Sequence, residues 1–241
     1  GTRRGEVQMI LKTDFPVEVF KTDRSKTASI KIVEGRVHVV VPKRLSDARV
    51  NDLILKRTSW IKQKLRIQSE TVHPKPKEYV SGENFTYLGR NYRLKLIPNG
   101  EEEVKMKGGY LTLGYPKKLS ATDRQSFVKD SLVDWYKRHA LKRLTEKSKR
   151  YGKILRVTTK SILLKNYKSR WGSCSDTGEI FFNWKVIIAP HHIVDYVVVH
   201  ELCHMLEHNH SPKYWRNVQS VIPDYKMDRQ WLKVNGMGLF V

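Results

Sequence analysis

Cysteine is scarce in this 241-residue chain, which contains only Cys174 and Cys203. A secreted protein of this size would more often carry several disulfide-forming pairs. We therefore expect two reduced, buried thiols and a cytoplasmic protein. Both cysteines lie in the motifs described below, so their thiols are expected near the same site.

Long apolar runs are also absent. No stretch approaches the roughly 18 consecutive apolar residues that a membrane-spanning helix needs, and no signal peptide is visible. We therefore expect no membrane partner. The length allows one large domain or two small ones with a substantial core, and nothing in the pattern indicates an oligomeric state.

Acidic residues are few relative to basic ones. The chain has 46 Lys and Arg residues against 24 Asp and Glu residues, for a formal net charge of +22. Such a surface attracts polyanions, so nucleic acid is a candidate partner through the basic surface. The alternative is a solvated basic surface with no specific partner.

The pattern H-E-x-x-H is present and is formed by His200, Glu201 and His204. Positions i and i+4 of a helix lie on one face, so the two imidazoles can bind one zinc ion. Glu201 is rotated by about 100° from His200, close enough to hold a water molecule on that ion. Zinc lowers the pKa of such a water to roughly 7, which predicts a hydrolytic centre.

The helix that carries this pattern is apolar on all sides. Apolar residues flank the histidine face and line the opposite face: Ile193, Val194, Tyr196, Val197, Val198, Leu202 and Met205. A helix that is hydrophobic all round is buried, and its polar groups need partners. The pattern predicts either a metal centre or a core helix with hydrogen-bonded histidines.

A catalytic zinc ion usually has three protein ligands, so a third must follow His204. The candidates are Glu207, His208, His210, Asp224 and Asp228. No glutamate follows Glu207, which excludes a third-ligand glutamate on a later helix. We favour His210, because Ser211-Pro212 has the pattern of an N-cap and first residue of another helix. His210 would then lie in the turn, where its imidazole can fold back over the metal.

Four runs follow one another in this part of the chain: SRWGSC (169–174), DYVVVHELCH (195–204), NHSPKYW (209–215) and PDY (223–225). Together they resemble the YgjP-like family of metal-dependent hydrolases, zincin-type proteins similar in their active-site helix to the SprT-like proteases. The resemblance is strong from about residue 160 to 232 and weaker before it.

The resemblance implies a specific site. It makes His200, His204 and His210 zinc ligands, with Zn²⁺ as the cofactor, and Glu201 the general base. The chain does not depart from the family pattern at these four positions, and His208 has no family role.

We expect an α+β fold in two parts. Alternating apolar residues, with Met9 and Leu11 among the first, predict a β-rich N-terminal region with interspersed helices over residues 1–118. Residues 119–241 are expected to form a compact, zincin-like helical metallopeptidase domain with a small sheet.

The chain also shows an internal repeat. In each copy a glycine precedes a strand, a proline and basic residues follow it, a serine caps the next helix, and that helix carries a tryptophan. The equivalent pairs, about 74 residues apart, are Gly35 and Gly109, Pro42 and Pro116, Ser46 and Ser120, and Trp60 and Trp135. This predicts two strand–turn–strand–helix units, although ordinary hairpins followed by helices would produce the same pattern twice.

Two helices are predicted in detail. One begins after Ser46, with Trp60 among its inward-facing positions. The other spans about 120–151, with Leu141 facing inward and Gly152 ending it.

Around the metal, a hairpin is expected to use Gly172 for its turn and Trp171 for packing. An edge strand that could pair with an extended substrate is expected at residues 156–165 or 179–184. For a donor to the transition state, Arg170, Tyr214 and Tyr225 are equally eligible.

Three functions are compatible with the sequence. The leading one is a zinc-dependent peptidase, in which Glu201 takes a proton from the attacking water. The second is a metal-dependent nucleoside triphosphate pyrophosphohydrolase, which suits the basic charge, as would a protease recruited to DNA. The third is a nucleic-acid-binding module with a structural metal. The sequence does not choose between a peptide and a nucleotide substrate.

Overall fold

The computed structural model describes residues 6–7, 13–23, 27–33, 35–70 and 76–241. The predicted strand positions Met9 and Leu11 lie outside them. The fold is mixed α+β, as predicted. The chain divides into two compact units, Gly1–Val72 and His73–Val241. The boundary expected between residues 118 and 119 falls inside the second unit.

The first unit contains a four-stranded sheet in the order β1-β2-β4-β3. Strands β2 and β4 are parallel, whereas β1 pairs with β2 and β3 pairs with β4 in the antiparallel sense. Alternate residues of β4 are buried, so its valines form part of this unit's core. The strands are β1 (Glu6–Val7), β2 (Val17–Thr22), β3 (Ser29–Val33) and β4 (Arg36–Pro42).

Two helices follow this sheet where one was predicted: α1 (Asp47–Lys56) and α2 (Thr58–Glu70). The helix is interrupted at Arg57, yet the fully buried Val50, Ile54 and Ile61 keep helical spacing across the interruption. Trp60 is rotated by about 100° from Ile61 and is 37% exposed. The inward position predicted for Trp60 is therefore wrong.

The second unit begins with a sheet of the same design. Its order is β5-β6-β8-β7, with β6 and β8 parallel and the outer strands antiparallel to their neighbours. The two sheets thus share strand order and strand sense, and the repeated glycines precede β4 and β8. The strands are β5 (Asn84–Tyr87), β6 (Arg90–Pro98), β7 (Lys105–Lys107) and β8 (Tyr110–Tyr115).

Helix α3 (Ala121–Leu155) begins at Ser120, whose hydroxyl accepts a hydrogen bond from the Asp123 amide at 3.1 Å. It does not end at Gly152, which corrects the prediction. A Cβ at Gly152 would lie 2.8 Å from the Val157 carbonyl oxygen, so this glycine allows the chain to return closely past the helix. The left-handed cap is Arg156, with φ of 57°.

Leu141 also differs from its prediction. It is 42% exposed on α3, whereas the inward stripe of that helix is formed by its neighbours on another face. The buried residues of this stripe include Leu132, Trp135, Tyr136, Ala140 and Leu144.

A three-stranded sheet follows, in the order β10-β11-β9, with β9 (Ser161–Lys165), β10 (Gly172–Cys174) and β11 (Glu179–Asn183). Strand β11 is central, antiparallel to β10 and parallel to β9. The strand predicted at 179–184 is therefore not an edge. The alternative at 156–165 contains β9, which is an edge strand but contacts α3. The edge strand that contacts the helix after this sheet is β10, which was not predicted as an edge.

Three helices complete the second unit: α4 (His191–Cys203), α5 (Pro212–Val221) and α6 (Tyr225–Asn235). Short 3-10 helices span Trp184–Ile188 and Gly236–Gly238. Helix α4 packs against α3, and Lys147 donates to Asp195 at 2.5 Å between them. Within the described ranges, no helix has the length and apolar character needed to cross a bilayer.

Candidate metal centre

Helix α4 carries His200 and Glu201 in its last turn and ends at Cys203. His204 follows as the C-cap with helical dihedral angles, so it keeps the i+4 position relative to His200. Its amide donates to the Glu201 carbonyl at 3.2 Å, the tighter bonding typical of a final turn. Pro190 is the N-cap of α4.

His210 lies in the turn between α4 and α5. Ser211 caps α5 by accepting from the Tyr214 amide at 3.2 Å, and Pro212 is the first helical residue. The His210 ring stacks on Trp215, with ring centroids 5.5 Å apart. The turn therefore holds the imidazole in a defined position.

The three histidines converge. The Nε2 atoms of His200 and His210 lie 3.3 Å apart, and one ring nitrogen from each of His200, His204 and His210 lies within 4.8 Å of the others. Ligands of a tetrahedral zinc ion at about 2.0–2.1 Å lie about 3.3–3.4 Å from each other. The spacing of His200 and His210 therefore fits a metal ion between them, and the group could hold one.

The protonation states also fit a metal. Burial, with the nearby His204 and His210, lowers the pKa of His200 to about 3. Burial lowers the pKa values of His204 and His210 as well. Neutral imidazole is the form that binds a metal, so the site favours the required state.

The second ring nitrogens of the histidines differ in their partners. His204 Nδ1 lies 3.3 Å from the Glu207 carbonyl, an acceptor of the kind that orients metal-binding histidines. His200 Nδ1 is buried and has no hydrogen-bond partner within the part of the chain described here. The Tyr214 hydroxyl instead donates to the His200 carbonyl at 2.9 Å, which holds the backbone of that residue.

Glu201 is 4% exposed and lies against the first residue of β10. A Cβ at Gly172 would lie 2.5 Å from Glu201 Oε1, so only glycine leaves room for this carboxylate. The prediction that Gly172 serves a turn is wrong, since Gly178 has the positive φ of the hairpin turn. Burial raises the pKa of Glu201 to about 8, and the charge of Arg170 opposes that shift.

The other candidates for the third ligand do not belong to the group formed by His200, His204 and His210 among the described residues. His208 is exposed, 3.8 Å from Asp176, and Glu207 forms an ion pair with Lys213. Asp228 accepts from His192 at 2.8 Å.

The two cysteines are free thiols, with Cys203 buried and Cys174 half-buried. Burial raises the pKa of Cys203 to about 12 and of Cys174 to about 11. Both are therefore protonated near neutral pH.

The three candidates for a transition-state donor are now distinguished. The Tyr214 hydroxyl is committed to the His200 carbonyl, and Tyr225 is buried and stacks on Trp215 at 5.0 Å. Arg170 is exposed and lines a cavity of about 370 Å³ that opens over His200 and Glu201.

Two residues of this cavity were missed from the sequence. Tyr196 lines it one helical turn before His200, and i, i+4 spacing could have indicated it. Arg229 reaches the cavity from α6, and no motif or spacing in the sequence indicates this.

A buried helix that brings histidines and a glutamate beside the edge of a small sheet is the arrangement of a zincin-like metallopeptidase domain. Comparison with known families makes the assignment specific. The chain belongs to the YgjP-like family, because the family model "YgjP-like, metallopeptidase domain" matches residues 26–235. The resemblance seen in the sequence motifs is therefore confirmed.

Among solved structures, the chain is similar to the metallopeptidase zymogen of Pyrococcus abyssi abylysin. The identity is 23% and the TM-score 0.35, over 38% of this chain and 94% of that chain. No curated protein matches the chain.

Proposed function

We propose that the protein is a zinc-dependent peptidase in which His200, His204 and His210 bind the metal and Glu201 is the general base. The observation that carries the proposal is the convergence of three imidazole nitrogens within 4.8 Å, beside a cavity that His200 and Glu201 line. Membership of a metallopeptidase family supports the same reaction class.

Zinc, when bound, supplies a Lewis acid that polarises a carbonyl and acidifies a water molecule. Glu201 takes the proton from that water at a carboxylate oxygen and returns it to the leaving amine nitrogen. Gly172 contributes by leaving the space that this carboxylate occupies.

Strand β10 supports a peptide as the substrate. It pairs with β11 on one side and has no strand partner on the other among the described residues. An extended peptide can add to such an edge through main-chain hydrogen bonds. The segment leading into β10, Ser169–Gly172, lines the same cavity as His200 and Glu201, so a bound backbone would lie beside the catalytic groups.

A nucleoside triphosphate pyrophosphohydrolase is the second candidate. Arg170, Arg229 and Lys233 line the cavity, and cations of this kind also bind phosphates. A purely structural metal would not require a general base at the cavity, so the nucleic-acid-binding module is less well supported.

The test combines metal content with hydrolysis. Wild-type protein should bind about one zinc per chain, and His210→Ala should lose most of it, while His208→Ala should not. His208 is a matched control because it is an exposed histidine two residues away and outside the cluster.

Glu201→Gln should retain zinc and lose cleavage of an unfolded protein substrate, scored by mass spectrometry. Glu146→Gln, on the exposed face of α3, is the control for the loss of one carboxylate. Undiminished peptide cleavage by zinc-loaded Glu201→Gln would refute the proposal. Glu201-dependent release of phosphate without peptide cleavage would select the second candidate.

A further inference from the structure

The cavity over the metal centre is lined by cations and apolar groups. Arg170, Arg229 and Lys233 line it, together with apolar walls that include Trp171 and Leu232. Among the described residues that line this cavity, Glu201 is the one carboxylate. Apart from the general base, the charges that face a ligand here are therefore positive.

A second cavity of about 260 Å³ continues this character. It shares Ser169, Arg170, Trp171 and Leu232 with the first, so the two adjoin along the segment before β10. Lys168 and Lys185 also line this second cavity, and none of the described residues that line it has a carboxylate. The two cavities together form one cleft, which we call the cationic cleft.

Arg170 and Arg229 are held by aromatic rings instead of by acids. Arg170 lies 5.6 Å from the Tyr167 ring centroid, and Arg229 lies 4.9 Å from that of Trp215. Neither has an ion pair with a described residue. This leaves the guanidinium groups available for a ligand while a ring fixes each one.

Exposed basic residues elsewhere in the second unit do find acidic partners. Arg143 contacts Glu146 at 3.0 Å, and Lys105 contacts Glu101 at 2.6 Å. The two cleft arginines differ from these pairs in that an aromatic ring, and no carboxylate of the described residues, lies against each guanidinium group.

Both arginines lie at the cavity that contains the candidate catalytic groups. Arg170 and Arg229 line it together with His200 and Glu201. An anionic group bound by either arginine would therefore lie close to the reacting centre.

We propose that the cationic cleft selects peptide segments with Asp or Glu side chains flanking the scissile bond, with Arg170 and Arg229 binding those carboxylates. This inference rests on the proposed peptidase function and names its substrate class. The cations line two adjoining cavities that share Trp171 and Leu232, beside an edge strand. A cleft that continues over two cavities suits an extended chain with separated charges better than a compact triphosphate.

Binding is measured first, without hydrolysis. Zinc-loaded Glu201→Gln is titrated into two fluorescent peptides that differ only in Asp and Glu against Asn and Gln, and anisotropy is recorded. We expect the acidic peptide to bind about 10-fold more tightly at low salt, and the difference to shrink as salt screens the charges.

The arginines are then tested in the same background. Arg170→Gln and Arg229→Gln should each reduce the preference for the acidic peptide by about 3- to 10-fold, and the Arg→Lys variants should keep much of it. Lys118→Gln is the matched control, because it removes one charge from an exposed residue that lines neither cavity. The Glu201-containing parent should show the same ranking in kcat/KM.

The outcomes separate this inference from the function on which it rests. Equal binding and cleavage of the two peptides, or an equal effect of Lys118→Gln, would overturn the acidic preference while the peptidase stands. Failure of the zinc-loaded parent to cleave either peptide would overturn the peptidase itself. Glu201-dependent hydrolysis of a nucleoside triphosphate that also displaces the acidic peptide would assign the cleft to nucleotides.

Discussion

The contact between Gly172 and Glu201 makes a methyl group at residue 172 a sharp test of the site. In Gly172→Ala, the new Cβ would meet Glu201 Oε1 at 2.5 Å and both Cγ and Cδ at 2.7 Å. An ordinary contact is about 3.5–4.0 Å, so the carboxylate or strand β10 must move by about 1 Å. Glu201 is only 4% exposed, so little free space is available to it.

The expected effect falls mainly on kcat. A displacement of about 1 Å at a catalytic group costs about 100-fold in rate, whereas overpacking costs about 1–3 kcal/mol of stability. Zinc content should be unchanged, because the side chain that the new methyl group displaces is Glu201, which is not one of the three histidines proposed to bind the metal. The assay is steady-state peptide cleavage beside zinc content and thermal unfolding.

Gly178→Ala is the matched control. Gly178 has a φ of 80°, so alanine there is strained, but its Cβ would lie 3.4 Å from Met205 and no closer. Gly178→Ala should therefore lose stability and keep the parent kcat.

A further check is Glu201→Asp, which withdraws the carboxylate by one methylene. This substitution should reduce kcat less in the Gly172→Ala background than in the parent. Wild-type kcat in Gly172→Ala would refute the reasoning.

Three further predictions concern other contacts. Tyr214→Phe removes the 2.9 Å hydrogen bond to the carbonyl of the half-buried His200 and should lower the free energy of unfolding in urea by about 1–2 kcal/mol. Asp195→Ala removes the ion-pair partner of Lys147 between α3 and α4 and should lower the same free energy by about 1–3 kcal/mol. This is less than for a fully buried pair, because the side chains of Asp195 and Lys147 are 18% and 16% exposed. Cys174 has its pKa raised to about 11 by burial and by nearby carboxylates, so its thiolate is depleted below that pH. Alkylation by iodoacetamide at pH 8 should be at least about 10-fold slower in the folded protein than in urea, and should accelerate as pH rises toward 11.

Each of these has a contradicting result. An unchanged unfolding midpoint and slope in Tyr214→Phe would show that the His200 carbonyl does not depend on the hydroxyl. For the ion pair, a double-mutant cycle with Lys147→Met should yield a coupling energy, and additivity would contradict the prediction. Equal alkylation rates in the folded and unfolded protein would contradict the shift at Cys174.

Local spacing accounts for the convergence of the three histidines. The i, i+4 relation of His200 and His204, the Ser211-Pro212 helix start and the turn position of His210 each depend on a few neighbouring residues. These features have the same geometry in any fold, so residue types alone indicated that the three histidines would converge.

Helix ends and inward faces were predicted less well, because packing overrides local preference. Gly152 has the residue type of a helix stop, yet it serves a close approach of Val157 inside the helix. In α2 the inward position belongs to Ile61, and its neighbour Trp60 is exposed although the repeat counterpart Trp135 is buried. Neither outcome has a local cause that could be read before the chain was folded.

The sequence by itself determined the family, the mixed α+β class, the helix with its two histidines and glutamate, and the excess of positive charge. It did so because these depend on residue types, short spacings and composition. The tertiary structure alone decided that β10 is the edge strand beside α4, that Gly172 makes room for Glu201, and that Arg229 joins Arg170 at the cleft. Those relations join residues distant in sequence, and only the packing of α4, α6 and the small sheet brings them within contact.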